Sequence, residues 1–229
     1  MTGNHSNGCH GGDTSAAFAY MAASGVPDES CQNYEATGDG KECTPLNICR
    51  TCAPGKGCTA VVKPQLKLWK VEEHGQVFGA KNMMAEIAAR GPITCTIACP
   101  ETLENYTGGI YKDESGALSP DHDVEVAGWG EEGGVPYWHV RNSYVRAFYT
   151  LDMPLACVCN PESISSAALD QLTALITHRK DTVRSWGVYW GEEGWFRIVR
   201  GVDNLGIESQ ECSWATPVKS WENEDANEL

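Results

Sequence analysis

Asp121-His122-Asp123-Val124-Glu125-Val126-Ala127-Gly128-Trp129-Gly130 and, beyond a short Glu- and Gly-rich gap, Tyr137-Trp138-His139-Val140-Arg141-Asn142-Ser143 decide how this chain is read. Val124–Trp129 and Tyr137–Asn142 have the period-two pattern of strands. Gly130–Gly134 is turn sequence, so the two form a hairpin. The turn Ser119-Pro120-Asp121 sets His122 at a strand mouth, which holds a side chain yet leaves it accessible, as a general base requires. The hairpin brings Asn142 back near His122, where an amide oxygen can accept an imidazole N–H and fix its tautomer. Each residue also has an ordinary reading, a structural histidine and a turn asparagine. Position alone leaves both open.

Working outward, Ile93–Ala98 and Trp195–Arg200 read as further strands. Upstream the period is helical. Asp13 can cap a helix over Thr14–Ser24, with Phe18, Met21 and Ala22 on one face and Gly25 as the stop. A second helix fits Ala80–Arg90, where Met83, Met84, Ile87 and Ala88 form the buried stripe and Gly91-Pro92 ends it. Pro27–Pro64 has little periodicity and much Gly, Pro, Asn and Cys, which predicts a segment stapled by disulfides. Helices first and antiparallel strands afterwards make the class α+β.

One stretch disagrees with its neighbours. Val145–Arg184 contains no glycine and no tryptophan, although its flanks are rich in both. It brings Cys157 and Cys159 and a helix-like run, Ser163–His178. It reads as an insertion. The acidic tail Trp221–Leu229 reads as a solvated end.

The 229 residues suit one large domain or two modest lobes. A net charge of −14 without a basic stripe argues against nucleic-acid binding. The longest apolar run, Ala16–Ala23, is too short to span a membrane. Eleven cysteines point to an oxidising compartment, and their odd number leaves at least one thiol without an internal partner. Asn4-His5-Ser6 and Asn105-Tyr106-Thr107 are sequons that fit a secretory route. The Met1 end lacks the features of a signal peptide, so the expectation is a natural chain that begins upstream. Of the other histidines, His5, His10, His74 and His178 have no evident fixed partner, and strand alternation turns His139 to the surface.

Asp121 to Gly130 resembles the histidine strand of papain-family cysteine peptidases, and Tyr137 to Ser143 resembles their asparagine motif. Trp186-Gly187 and Trp190-Gly191-Glu192-Glu193-Gly194-Trp195-Phe196-Arg197-Ile198 resemble the stretch that follows. Cys9-His10-Gly11-Gly12 matches the family's Cys-x-Gly-Gly, and Asn105 to Tyr111 matches its Gly-Gly-Ile-Tyr turn. Gly25 to Tyr34 and Lys81 to Ile87 are similar to a branch that trims single residues from C-termini.

The resemblance implies a papain-like two-lobe fold, here a partial helical left lobe and an antiparallel, barrel-like right lobe. The expected units are 1–66 (left-lobe remnant), 67–142 (right lobe), 143–184 (insertion), 185–220 (end of the right lobe) and 221–229 (tail). His122 would be the catalytic imidazole, Asn142 its orienter and Trp186 the cover over their bond. Gly11 and Gly12 would hydrogen-bond an extended peptide, and Asp123 would line the primary pocket, where the family usually has a small or apolar residue. Cys31 would pair with Cys49, Cys52 with Cys58, and Cys95 with Cys212. Cys9 and Cys43 match positions whose partners lie upstream, and Cys99, Cys157 and Cys159 have no counterpart. A zinc site of Cys43, Cys49, Cys52 and Cys58 is the weaker alternative.

The family's nucleophile lies in Cys-Gly-Ser-Cys-Trp, and neither this motif nor its oxyanion glutamine occurs in the 229 residues. The short histidine-bearing loop of the C-terminal-trimming branch is absent as well. The chain as written is therefore expected not to hydrolyse peptides. Deleting Tyr144–Ser185 or Ser143–Arg184 restores Asn-Ser-Trp-Gly, a joint that fits retained intron sequence as well as a surface insertion. The expectation is a monomeric thiol peptidase by family that acts on peptides or proteins, needs no cofactor or metal, and works in a lysosome, a vacuole or outside the cell. Asn105 is its candidate glycosylation site. The rivals are a non-catalytic homologue that binds peptides or partners, and a disulfide-rich extracellular binding module.

Overall fold

The computed structural model describes residues 12–31, 44–142 and 187–218. Cys9, Gly11, Cys43, Trp186, the 143–184 segment and the 221–229 tail lie outside the described residues, as do His5, His10 and His178.

Helix α1 spans Thr14–Ser24, with Asp13 accepting the Ala16 N–H at 3.0 Å as its cap. It ends at Gly25, whose φ of 70° and close neighbours, Leu68 Cβ and Trp69 O, leave no room for a side chain. Val26 then bridges to Trp69. The buried face is Thr14, Ala17 and Tyr20, and the predicted stripe of Phe18, Met21 and Ala22 is only half-buried. Ala17 and the Tyr20 ring are the apolar residues that seat the helix, and beside them Ser15 Oγ accepts from the Gln76 amide at 2.9 Å.

The segment read as irregular has short regular elements. Thr44 caps a single helical turn, α2 (Pro45–Ile48), and strands β1 (Arg50–Ala53) and β2 (Gly57–Ala60) form an antiparallel hairpin. These strands are too short for a period to show. A small cluster of Ile48 and Cys49 backed by Cys31, Val61 and Leu66 is the only apolar support here among the described residues. Disulfides Cys31–Cys49 and Cys52–Cys58 close this segment, the two pairs implied by the family resemblance.

The main sheet contains β3 (Val71–Val77), β4 (Ile93–Ile97), β5 (Ile110–Tyr111), β6 (His122–Glu132), β7 (Val135–Arg141), β8 (Trp195–Val199) and β9 (Cys212–Pro217). Their order is β3-β9-β4-β6-β7-β8-β5. Every neighbouring pair is antiparallel, as expected, except the two-residue edge strand β5, which runs parallel to β8. β5 joins the edge by way of a loop rather than a tight turn, which permits either direction. Cys95 and Cys212 face each other across β4 and β9 and form the third disulfide.

Alternation along the sheet builds the core. Val124 and Val126 of β6, Trp138 and Val140 of β7, and Phe196 and Ile198 of β8 are all buried on one face. Each contributes roughly 1.5–3 kcal/mol of burial.

Helix α3 (Ala80–Arg90) covers this face with Met83 and Ile87. The predicted stripe is corrected at two places: Met84 is half-buried, and Ala88 is exposed while Glu86 is buried. Glu86 tolerates burial because Arg90, one turn on, donates to it at 2.6 Å and lies 3.9 Å over the Trp214 ring. A last short helix, α4 (Glu101–Glu104), precedes the 105–109 turn.

Candidate active site

His122 opens β6 opposite Ile97 of β4. The turn before it is held twice: the Asp121 N–H donates to Ile97 O at 3.0 Å, and Asp121 Oδ1 accepts the Cys99 N–H at 2.9 Å. Asn142 follows β7, its backbone N–H donating to Gly194 O at 3.0 Å. The hairpin therefore delivers the two side chains to one point, with His122 Nε2 2.8 Å from Asn142 Oδ1. An amide oxygen accepts, so Nε2 carries the proton of this hydrogen bond.

The expectation of an accessible histidine is corrected: His122 is 1% exposed and Asn142 2%. Alternation puts both side chains on the core-facing side of the sheet with Val124 and Val140. Asn142 Nδ2 is also buried and has no hydrogen-bond partner among the described residues. An unmatched amide of this kind costs about 1–3 kcal/mol. The pair is thus rigidly aligned, and not cheaply so.

Asp123 points to the other face of β6, beside Thr96 of β4, whose hydroxyl donates to Oδ1 at 2.7 Å. Burial pushes its carboxyl up to about 6; the Thr96 bond opposes that rise, and the charges of Asp13 and Glu211 add to it. Glu211 itself accepts from the hydroxyls of Ser15 and Ser213. Gly12, directly before the cap residue Asp13, is exposed.

Outside this cluster, His74 and His139 are exposed, and the His139 ring stacks on Trp195 at 4.6 Å between centroids. The zinc alternative loses Cys49, Cys52 and Cys58 to disulfides. Cys99, without a counterpart in the family pattern, is buried after β4. Asn105 is exposed at the end of α4, its amide donating to Glu101 O at 3.0 Å. A depression of about 390 Å³ lies between the 104–107 turn and the 189–191 loop, and none of His122, Asn142 and Asp123 lines it.

Sequence reasoning missed the side chains that hold the 187–194 loop. Glu192 Oε1 accepts the Gly109 N–H at 3.0 Å, and Arg197 of β8 donates to both Glu192 oxygens at 2.7 and 2.9 Å. Trp190 Nε1 donates to Glu104 O at 2.8 Å. The Trp-Gly-Glu-Glu-Gly stretch was legible, but not that its acid reaches the 105–109 turn.

The geometry agrees with the comparisons. The family model for papain family cysteine protease matches residues 1–150. The chain belongs to the papain family. It is 33% identical to cathepsin Z of Onchocerca volvulus, an alignment covering 92% of this chain and 56% of that protein. It is 28% identical to a gut-specific cysteine proteinase of Caenorhabditis elegans, over 89% of this chain and 51% of that one. Digestive procathepsin L 3 from Tenebrio molitor larval midgut superposes with a TM-score of 0.55 at 22% identity, over 87% of this chain and 46% of that one. ProCathepsin B S9 from Trypanosoma congolense gives 0.55 at 20%, over 92% and 55%. These two structures establish the α+β papain-like fold. The chain spans about half the length of the curated relatives it matches.

Proposed function

We propose that His122 and Asn142 are the base and its orienter in a Cys-His-Asn peptidase of the cathepsin Z type, one that removes residues from peptide C-termini. The observation that carries this is the 2.8 Å contact from His122 Nε2 to Asn142 Oδ1. With Nε2–H held, Nδ1 takes the proton of a cysteine thiol, and the thiolate attacks the peptide carbonyl. The imidazolium returns that proton to the leaving amine as the C–N bond breaks. Water, deprotonated by Nδ1, then hydrolyses the thioester and frees the acid and the thiol.

Trp186 would cover the His–Asn bond, and Gly11 and Gly12 would hydrogen-bond the substrate backbone. Asp123 would line the pocket and favour a cationic side chain, because burial and two further acids leave its charge uncompensated. The 143–184 segment reads as an insertion, since the strands on either side of it pair directly, Arg141 with Trp195. The three disulfides among the described residues fit a lysosomal or extracellular setting. Among the described residues, no helix is long and apolar enough to cross a membrane.

A second reading has support of its own. None of the eleven cysteines stands in Cys-Gly-Ser-Cys-Trp, and a histidine 1% exposed does not meet a substrate. Residues 1–229 alone would then be a non-catalytic member that binds peptides or partners. The deciding test is a peptidyl thiol-reactive probe and a C-terminally free peptide, applied to this chain and to the longest product of its gene. Labelling and trimming by the longer product, lost in His122→Ala, support the enzyme. A longer product that binds peptide but neither labels nor trims supports the second reading.

A further inference from the structure

The backbone N–H of Asn142 donates to one carbonyl, Gly194 O. That carbonyl sits at the end of a loop with its own internal bonds: Gly194 N–H to Trp190 O at 2.8 Å, and Glu192 and Trp195 paired both ways at 2.8 and 3.1 Å. The loop is as rigid as its moorings. Trp190 supplies one, through Glu104 O and through ring contacts with Tyr106 and Phe196.

Glu192 supplies the other, and it joins three parts of the chain at once. Its carboxylate holds the Gly109 N–H of the turn, takes two donors from Arg197 of β8, and carries the loop backbone. Arg197 is also paired with Glu132 of β6, so the network spans the sheet to the strand that bears His122. Tyr106 closes the circle by donating to Gly109 O at 2.6 Å. The Arg197 pairing holds the Glu192 carboxyl below its ordinary range.

We infer that Glu192 is a positioning residue for the His122–Asn142 pair, acting through the loop and Gly194 O. The unpartnered Asn142 Nδ2 makes the case. Among the described residues the amide head has one bond at its oxygen and none at its nitrogen, so its direction depends on where the backbone is held. If the Glu192 mooring is lost, Gly194 O shifts and the amide can turn. The Nε2–H of His122 is then no longer held. This rests on His122 and Asn142 acting as base and orienter, but it is tested apart from activity.

The test uses the oxidised 229-residue chain and nitrogen-15 NMR of the His122 ring. The readout is solvent exchange of its Nε2 proton, compared among wild type, Glu192→Ala, Glu192→Gln and Glu208→Gln. Glu208 is the control because it pins the opposite end of the sheet, accepting from Trp138 Nε1 and Gly201 N. Glu192→Gln loses the charge-assisted pairing with Arg197, about half of that bond's strength, and should raise the exchange rate about tenfold. Glu192→Ala should raise it further, and Glu208→Gln should leave it unchanged while lowering the Tm.

An unchanged Nε2 proton in folded Glu192→Gln overturns the positioning role, whether or not the alanine variant folds. A wild-type Nε2 proton insensitive to Asn142→Leu shows instead that the His–Asn pairing is wrong. The two failures are therefore distinguishable.

Discussion

Replacing Asp123 by Asn tests the electrostatics of the site without changing its shape. The Thr96 hydroxyl donates to an Asp123 oxygen, and an amide oxygen can accept the same bond. The native carboxyl moves from 3.8 in its ordinary state to about 6 in the fold. The folded protein thus holds this proton more tightly than the unfolded chain does. Between about pH 4 and pH 6 the native state binds the extra proton, so stability falls as pH rises and the penalty is complete above about pH 6. Its ceiling is on the order of 3 kcal/mol, since each pKa unit corresponds to about 1.4 kcal/mol.

Asp123→Asn should therefore leave stability nearly unchanged near pH 4 and raise it by up to about 3 kcal/mol near pH 7. Urea titration with the disulfides intact measures this. With m near 2 kcal/mol/M, the midpoint gain at neutral pH is at most about 1.5 M, at constant m. Added salt should shrink the gain, because part of it is repulsion from Asp13 and Glu211. A gain of equal size at both pH values, or a loss at neutral pH, would refute a buried, uncompensated carboxylate.

Asn142→Leu leaves the buried imidazole N–H without its acceptor but also removes the unmatched Nδ2, so two contributions of about 1–3 kcal/mol offset and the urea midpoint should move by less than about 0.5 M. The joint variant Cys95→Ala with Cys212→Ala opens a link across a sequence separation of 117 and should cost about 5 kcal/mol on the chain-entropy account, seen as a lower urea midpoint. Gly191→Ala would place a Cβ 2.6 Å from Trp195 O at a φ of 56°, whereas Gly134→Ala meets nothing within 4 Å at 81°. Calorimetry should find Gly191→Ala the more damaging of the two, by at least about 1 kcal/mol.

Much of the active-site frame is legible before any coordinates. The period-two stretches and the Gly-rich turn already bring Asn142 back near His122, and the folded chain sets the two side chains 2.8 Å apart. Helices Thr14–Ser24 and Ala80–Arg90 have the bounds read from Asp13, Gly25 and Gly91. Such signals survive in sequence because caps and turns act within four residues. The helix faces were less legible. Glu86 is buried because Arg90 pairs with it, and Arg90 in turn lies over Trp214, which belongs to a distant strand. The hairpin of β1 and β2 escaped for the opposite reason, its strands being too short to show a period.

The sequence by itself determined the strands, their turn, the two principal helices and the residues that stand at the hairpin's open end. It also carried, by resemblance, the family and the three disulfide pairs. Only the tertiary structure decided that His122 is enclosed rather than open, that β5 runs parallel to β8, that Asp123 holds its proton to about 6, and that Glu192 moors the loop behind Asn142. The division follows from range. Alternation and capping are properties of neighbouring residues, whereas burial and charge at Asp123 are sums over Asp13, Thr96 and Glu211, which only the folded chain brings together.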